Sequence, residues 1–295
     1  MKTIAITGSN GFIGKHLLSY FSASGNAICA LQRSIPDTLI QENVTYVKYS
    51  IEEGFDEDEV NGCDALVHCA YVAHAKCKNS NLLNWNSLKR LLSYCRAKQI
   101  KLVYFSTMAA HEEATSNYGM HKLLGEKMCD PTKDLVLKCG LVMAPDGGFI
   151  FDLGKYLSKT KFVPLFGGGR QLLQSIDMSE LFQIVRTGIE EDISGIYPVG
   201  EEQPFSMEDL YRTISEGSQF KNIFFRVPIS PVLFLARVAE AVGIRLPKLP
   251  ITVEGLLGLQ HVKAFDTKEI RNTFGVAITP FRDNIYRYSQ QWVWN

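Results

Sequence analysis

A glycine-rich turn between a predicted strand and a predicted helix is the feature that most constrains how this chain can fold. The apolar residues 4–6 predict a first β-strand, and the sequence Thr-Gly-Ser-Asn-Gly-Phe-Ile-Gly follows at residues 7–14. Apolar residues then recur at Ile13, Leu17 and Phe21, which is the spacing of one helix face. A strand, a glycine turn and a helix in this order form the fingerprint of a dinucleotide-binding unit.

Each glycine of this turn has a physical task. Gly8 allows the chain to turn tightly, Gly11 lets the backbone approach a pyrophosphate, and Gly14 lets the helix pack closely on the strand. The N-terminus of the helix presents free N–H groups and the positive end of its dipole to the phosphates. A tight turn also forms without a ligand, so this interpretation depends on a second motif further along the chain.

Tyr118 and Lys122 form that second motif, Tyr-Gly-Met-His-Lys, which Gly125 and Glu126 follow. Residues four apart share a helix face, so we expect the lysine ammonium to lie near the tyrosine hydroxyl. A nearby positive charge favours phenolate and lowers a pKa that is otherwise about 10. Such a tyrosine can exchange a proton with a carbinol or carbonyl oxygen near neutral pH. Alone, the pair also fits an exposed helix without a function, but beside the glycine turn it indicates catalysis.

Predicted strands and helices alternate through the first half of the chain. The acidic residues 52–59 predict a solvated loop or a short helix, and a long helix is predicted at 82–98. The alternation predicts an α/β fold with a doubly wound parallel sheet, which binds its cofactor across the carboxyl ends of the strands. After the first strand, further strands are predicted at residues 27–31, 44–49, 65–68, 101–105 and 135–138.

Taken together, the motifs resemble those of the extended short-chain dehydrogenase/reductases, the NAD-dependent epimerase/dehydratase group. The resemblance covers the full length and includes Asp64 before the fourth strand, Asn84 before a helix, and the trailing Gly-Glu that is specific to the extended branch. It implies a Rossmann dinucleotide-binding domain at residues 1–165. It also implies a smaller α/β substrate lobe at residues 166–295, with elements that return to the first domain.

The resemblance also implies a role for each motif residue. Tyr118 matches the family's acid/base, and Lys122 matches the lysine that lowers its pKa and holds the nicotinamide ribose. Thr107 matches the Ser or Thr that hydrogen-bonds the reacting oxygen, and its neighbour Ser106 is the second candidate. The nicotinamide carries the hydride chemistry, while the protein supplies position and proton transfer. The cofactor-binding residues implied are Gly8, Asn10, Gly11, Phe12, Ile13, Gly14, Arg33, Ala70, Tyr118 and Lys122.

The end of the second strand favours NADP(H) over NAD(H). NAD-preferring members usually place an acidic residue there to bind the adenosine ribose diol. This chain has Gln32 in that position, followed by Arg33. An arginine can pair with a 2′-phosphate, and no carboxylate repels that group. NAD(H) remains the alternative, because Arg33 also fits a surface arginine at the end of a strand.

Composition and charge argue against several function classes. The 31 Lys and Arg balance 31 Asp and Glu, and no basic stripe or charged tail stands out. This balance argues against nucleic acid or an anionic membrane as the main partner. We expect no signal peptide, because the start runs directly into a strand, and a packed helix rather than a membrane span in the apolar region 228–244. The seven cysteines contain no Cys-x-x-Cys pair and the six histidines no metal-ligand spacing, which favours a reducing cytoplasm without structural zinc.

The second half leaves the substrate open. Family members that act on nucleotide sugars use cations for the diphosphate, and here the candidates are Arg170, His261 and Lys263. We expect an NADP(H)-dependent oxidoreductase or epimerase acting on a sugar, first of all a nucleotide-sugar 4-keto-reductase or 4-epimerase. A dehydratase is disfavoured, because Met108 and Ala109 replace the Asp-Glu of that branch. The alternatives are a reductase of another small carbonyl compound and a non-catalytic NADP(H)-binding member.

Two helices are candidates for a homodimer interface. In the resembled family, the helices that here carry residues 84–98 and 118–129 often pair across a two-fold axis. Four residues of the first helix could serve that interface or simply cover the sheet: Leu88, Leu91, Leu92 and Cys95.

Overall fold

The computed structural model describes residues 1–35, 42–73, 79–232 and 263–292. Its strands are β1 (Thr3–Thr7), β2 (Ala27–Gln32), β3 (Val44–Lys48), β4 (Ala65–His68), β5 (Lys101–Thr107), β6 (Leu135–Cys139), β7 (Leu141–Met143), β8 (Phe162–Phe166), β9 (Leu172–Leu173), β10 (Ser175–Asp177), β11 (Gly195–Val199), β12 (Phe205–Ser206) and β13 (Ile223–Val227).

In the first half, α-helices follow β1, β4 and β5. They are α1 (Phe12–Ala23), α2 (Ser80–Lys98), α3 (Asn117–Met128), α4 (Gly148–Lys159), α5 (Met178–Glu190), α6 (Met207–Gly217), α7 (Lys268–Phe274) and α8 (Phe281–Ser289). The acidic segment forms a short 3₁₀ helix at Glu57–Val60. None of the helices within the described residues is both long and apolar enough to cross a bilayer.

Within the described ranges, seven parallel strands form one sheet at the centre of the molecule, in the order β3-β2-β1-β4-β5-β6-β11. The predicted strands of the first half are confirmed, and so is the doubly wound fold class. Strand order reverses between β1 and β4, and ligands of such sheets bind in the crevice at this switch point. The fold therefore directs attention to the carboxyl ends of β1, β4 and β5.

Both faces of the sheet are covered, which explains why its strands are apolar on both sides. On one face α1 and α5 pack against it, with Leu17 and Leu181 fully buried. On the other face α2 contributes Leu88, Leu91 and Cys95, all at most 2% exposed. Those three residues, with the partly buried Leu92, therefore cover the sheet.

The second half adds a smaller lobe with its own core. This core joins α4, α6 and α8 to the parallel pair β8–β13, around residues such as Leu157, Leu210 and Ile285. The strand β11 returns to the edge of the large sheet beside β6. The division of the chain at about residue 165 stays a prediction. Cys77, His261 and most of the apolar region 228–244 lie outside the described residues.

Candidate functional site

The glycine turn links β1 to α1 at the switch point of the sheet. Gly8 has a φ of +65°, and a Cβ there would meet the Ala70 backbone at 2.8 Å. A Cβ on Gly14 would meet the Gly8 carbonyl oxygen at 2.2 Å, so helix and turn approach as closely as backbone allows. Ala70 thus lies directly against the turn.

The start of α1 is open to an anion. Its N-cap residue is Gly11, no side chain caps the helix, and its first turn holds no acidic residue. The first N–H groups of a helix have no partner within it and carry partial positive charge. Asn10, Phe12 and Ile13 belong to this same turn. These features fit the pyrophosphate of a dinucleotide cofactor, which the turn and the helix start would hold.

The loop after β4 is fixed beside this turn. The Thr7 hydroxyl and His68 Nδ1 lie 2.7 Å apart, and the Ala70 N–H donates to the same hydroxyl at 3.3 Å. Further along, the Asn84 amide donates to the Val72 carbonyl and accepts from its N–H. Burial and the charge of Lys122 lower the pKa of His68 to about 3, so this histidine is neutral.

The end of β2 places a cation next to the turn. Gln32 is buried and its side-chain oxygen accepts a hydrogen bond from the Ser9 hydroxyl at 3.1 Å. Arg33 follows it on the surface and has no ion-pair partner among the described residues. A fixed amide and a free guanidinium therefore occupy the place where other dinucleotide-binding proteins carry a carboxylate.

Tyr118 and Thr107 meet at the carboxyl end of β5. The Tyr118 hydroxyl is hydrogen-bonded to the Thr107 side chain. The residue as a whole is 38% exposed, yet its hydroxyl is desolvated, and this raises its pKa to about 12. The expected lowering of this pKa by Lys122 is therefore not found. Tyr118 is a phenol that holds its proton at neutral pH.

Lys122 explains this difference, because its ammonium is engaged elsewhere. Its Nζ donates to the Phe105 carbonyl at 2.7 Å and lies 4.9 and 4.8 Å from the ring centres of Tyr71 and Tyr104. The side chain is buried, and desolvation lowers its pKa to about 8. Lys122 is thus a buried cation held by a carbonyl and two aromatic faces.

Ser106 does not share the Thr107 position. Its hydroxyl donates to the Glu126 carboxylate, which is buried and also pairs with Lys138 at 3.1 Å. Ser106 and Lys138 are register partners on β5 and β6, so the ion pair joins α3 to both strands. The Lys138 ammonium also lies 4.9 Å from the Phe265 ring centre. We did not identify this network from the sequence, although a lysine inside the apolar strand β6 was its visible signal.

Two of the substrate candidates, Arg170 and Lys263, lie within the described residues. Arg170 is exposed and directly follows the 3₁₀ helix Gly167–Gly169. Lys263 pairs with Glu113 at 2.6 Å, in the loop that leads to α3. The described residues contain no cluster of three or more His, Cys, Asp or Glu able to hold a metal ion.

Comparison with known proteins identifies the class. A model of the NAD dependent epimerase/dehydratase family matches residues 4–144. The epimerase family protein YfhF of Bacillus subtilis (strain 168) is 24% identical over 72% of this chain and 78% of its own length.

Two solved structures share the fold of the whole chain. UDP-N-acetylglucosamine 4-epimerase from Methanobrevibacter ruminantium M1, in complex with UDP-N-acetylmuramic acid, is 17% identical with a TM-score of 0.72, over 98% of this chain and 97% of its own. MoeE5 in complex with UDP-glucose and NAD is 16% identical with a TM-score of 0.71, over 98% and 99%.

The fold, the glycine turn and the tyrosine–lysine helix define a short-chain dehydrogenase/reductase of the extended type. A match to the NAD dependent epimerase/dehydratase family covers residues 4–144, the dinucleotide-binding half of the chain. This match indicates an enzyme of the oxidoreductase and epimerase class.

Proposed function

We propose that the protein is an NADP(H)-dependent oxidoreductase or epimerase that acts on a nucleotide sugar, as a 4-keto-reductase or a 4-epimerase. The observation that carries this proposal is the hydrogen bond between Tyr118 and Thr107, beside the buried Lys122. This contact supports the roles of proton donor for Tyr118, orienting hydroxyl for Thr107 and cation for Lys122.

The chain's own residues supply positioning and proton transfer. When bound, the nicotinamide supplies or accepts the hydride. Thr107 orients the reacting oxygen, and Tyr118 exchanges a proton with it. Because the pKa of Tyr118 is raised to about 12, its hydroxyl is protonated at pH 7 and ready to donate to a ketone oxygen. Lys122 would hold the nicotinamide ribose.

A nucleotide sugar is the substrate class that the family relationships favour. The two solved structures described above contain UDP-glucose and UDP-N-acetylmuramic acid. In this chain Arg170 is an exposed cation without an ion-pair partner among the described residues, so it can meet a diphosphate. Charge-assisted contacts of arginine with phosphate suit this task.

The substrate class is tested by a thermal-shift panel of UDP, GDP and dTDP sugars with NADPH present. A ligand that binds the native state raises the melting temperature by mass action. Arg170→Ala should then raise KM for the bound sugar while kcat changes less, because uniform binding is lost. The control is Arg186→Ala, another exposed arginine, on α5. If no nucleotide sugar binds while a neutral ketone is reduced well, the other carbonyl class replaces this one.

Cofactor choice is tested separately on binding. We expect NADPH to bind more tightly than NADH, and Arg33→Ala to remove most of the difference. A charge-assisted contact contributes on the order of 1.5–3 kcal/mol, about one to two orders of magnitude in affinity. Isothermal titration of NADPH and NADH into the wild type, Arg33→Ala and the control Arg186→Ala measures the difference in affinity between the two cofactors. Equal affinities of the wild type for both cofactors would contradict the NADP(H) assignment.

We also propose a homodimer in a reducing cytoplasm. Leu82 on α2 and Met120 and Leu124 on α3 are each more than 40% exposed and support pairing of these helices. All cysteines in the described part of the chain are free thiols. Sedimentation of Leu82→Ser/Leu124→Ser against the wild type tests the interface, and a wild-type monomer at all concentrations would exclude it.

A further inference from the structure

The outer face of the β8–β13 pair is apolar and open to solvent. The register sets Phe162 beside Ile223 and Pro164 beside Phe225. Phe162 is 60% exposed, while Ile223 and Phe225 are 48% and 47% exposed. The alternate residues of the two strands face the core of the smaller lobe, where Val163 is fully buried. A sheet face with exposed aromatic and aliphatic side chains marks an interaction surface.

Lysines surround one end of this face. The Ile223 N–H donates to the Lys161 carbonyl, and the Asn222 amide donates to the Leu157 carbonyl in α4 and to the Thr160 carbonyl just after it. Three lysines are thereby brought to the same end of the face: Lys159, Lys161 and Lys221. All three are exposed and form no ion pair with any residue that the structure describes. The Lys161 ammonium lies 5.8 Å from the Phe162 ring centre.

Acidic residues are missing from the segments that build this face. Residues 153–176 contain three lysines and one arginine but no Asp or Glu, and residues 217–232 contain one lysine and one arginine, again without an acid. Arg226 is offset by Glu208, which also pairs with Arg212. The three lysines therefore carry the uncompensated charge.

We propose that this basic apolar face, formed by Phe162, Ile223, Phe225, Lys159, Lys161 and Lys221, docks the enzyme on the surface of an anionic phospholipid bilayer. Aromatic and aliphatic side chains enter the boundary between headgroups and acyl chains, while lysines bind anionic headgroups. An aliphatic side chain such as Ile223 fits the boundary of the acyl chains. Nucleic-acid bases stack on aromatic rings instead, so a bilayer fits this face better than a nucleic acid does.

This proposal revises the expectation drawn from the charge of the whole chain. A net charge of zero averages over the molecule, whereas membrane attraction acts over about a Debye length, roughly 8–10 Å. A local cluster of three lysines is felt at that range, even when acids elsewhere balance it. The active-site residues lie on other elements, so docking and turnover can be measured independently.

Vesicle flotation of the full chain tests the proposal. Wild-type protein is mixed with vesicles of phosphatidylcholine alone or with 40% phosphatidylglycerol, at low and high salt. One variant set removes the cations, Lys159→Gln/Lys161→Gln/Lys221→Gln, and its control removes three exposed lysines of the other lobe, Lys48→Gln/Lys89→Gln/Lys98→Gln. A second set compares Phe162→Ser/Phe225→Ser with Ile196→Ser/Tyr286→Ser, which changes two exposed side chains outside this face and outside the proposed dimer interface.

We expect binding to the anionic vesicles only, and weaker binding at high salt. Each lysine near an anionic surface contributes about fivefold, so the cation variant should lower the partition coefficient on the order of 100-fold while its control stays within about twofold of the wild type. The phenylalanine variant should also lose binding. Absence of wild-type binding, equal binding to neutral vesicles, equal losses in the controls, or binding of a dT20 oligonucleotide instead of vesicles would each overturn the proposal. Unchanged turnover and melting temperature show that the variants are folded.

Discussion

The two halves of α3 bury charge in opposite ways. In the first half, Lys122 lies beneath the site with a carbonyl and two aromatic rings around it, and no carboxylate of the described residues pairs with it. In the second half, Glu126 accepts from Ser106 and pairs with Lys138. Moving a charged group out of water without an ion-pair partner costs free energy and shifts the pKa of that group. Such unpaired charged groups are therefore found where the chemistry of a site needs them. The paired half attaches the helix, and the unpaired half is available for reaction.

The largest expected effect comes from the reactive half. Tyr118→Phe removes the proton donor but keeps the ring and its packing. We expect turnover to fall by two to four orders of magnitude, because general acid–base catalysis contributes about that much. Steady-state kinetics measure the loss, while NADPH affinity and the melting temperature should change little. Tyr286→Phe, at an exposed tyrosine of α8, is the matched control. Normal turnover of Tyr118→Phe would place the proton transfer elsewhere.

The next largest effect is expected when the Glu126–Lys138 ion pair in the second half of α3 is broken. Lys138→Met leaves the buried Glu126 carboxylate without its cation, and removal of one partner of such a pair destabilises by about 3–5 kcal/mol. Urea unfolding at pH 7 measures the change. Desolvation already raises the pKa of Glu126. Glu126 is then protonated at lower pH, so the loss should shrink as pH falls toward 5.

Two further variants separate pairing from packing. Adding Glu126→Gln to Lys138→Met should restore part of the stability, because the orphaned charge is gone. Lys138→Arg should keep most of it. If the stability loss of the double variant exceeds the sum of the losses of the two single variants, the ion pair is not the reason for the effect.

The smallest effect has the opposite sign. Lys122→Met removes a buried cation whose pKa is lowered from 10.5 to about 8. Between these values the unfolded state binds more protons, so wild-type stability rises with pH across this window. The variant should lack that rise and be more stable at pH 7, by at most about 3 kcal/mol. Turnover and cofactor affinity should both fall. If Lys122→Met is less stable than the wild type at pH 7, the buried lysine stabilises the fold and is not a destabilising residue kept for function.

The sequence allowed prediction of what depends on local spacing. The glycine turn, the positions of the strands in the first half and the Tyr118–Lys122 face follow from neighbours in the chain, and the fold confirms the elements that carry them. The Glu126–Lys138 pair could not be predicted, because it requires the register of β5 on β6 and the height of α3 above both. The pKa of Tyr118 was predicted in the wrong direction for a related reason. Spacing shows that Lys122 is near, but not that the Phe105 carbonyl accepts its hydrogen bond.

One glycine of the tyrosine motif has a consequence for how such enzymes can diverge. A Cβ on Gly125 would meet the Tyr104 hydroxyl at 2.4 Å, so α3 rests directly on a buried strand side chain. A larger residue at either position would lift the helix and move its proton donor and its cation together. Substitutions at positions 104 and 125 must therefore be concerted during evolution. The proton donor and the cation of the motif thus depend on one close contact between a glycine and a buried tyrosine.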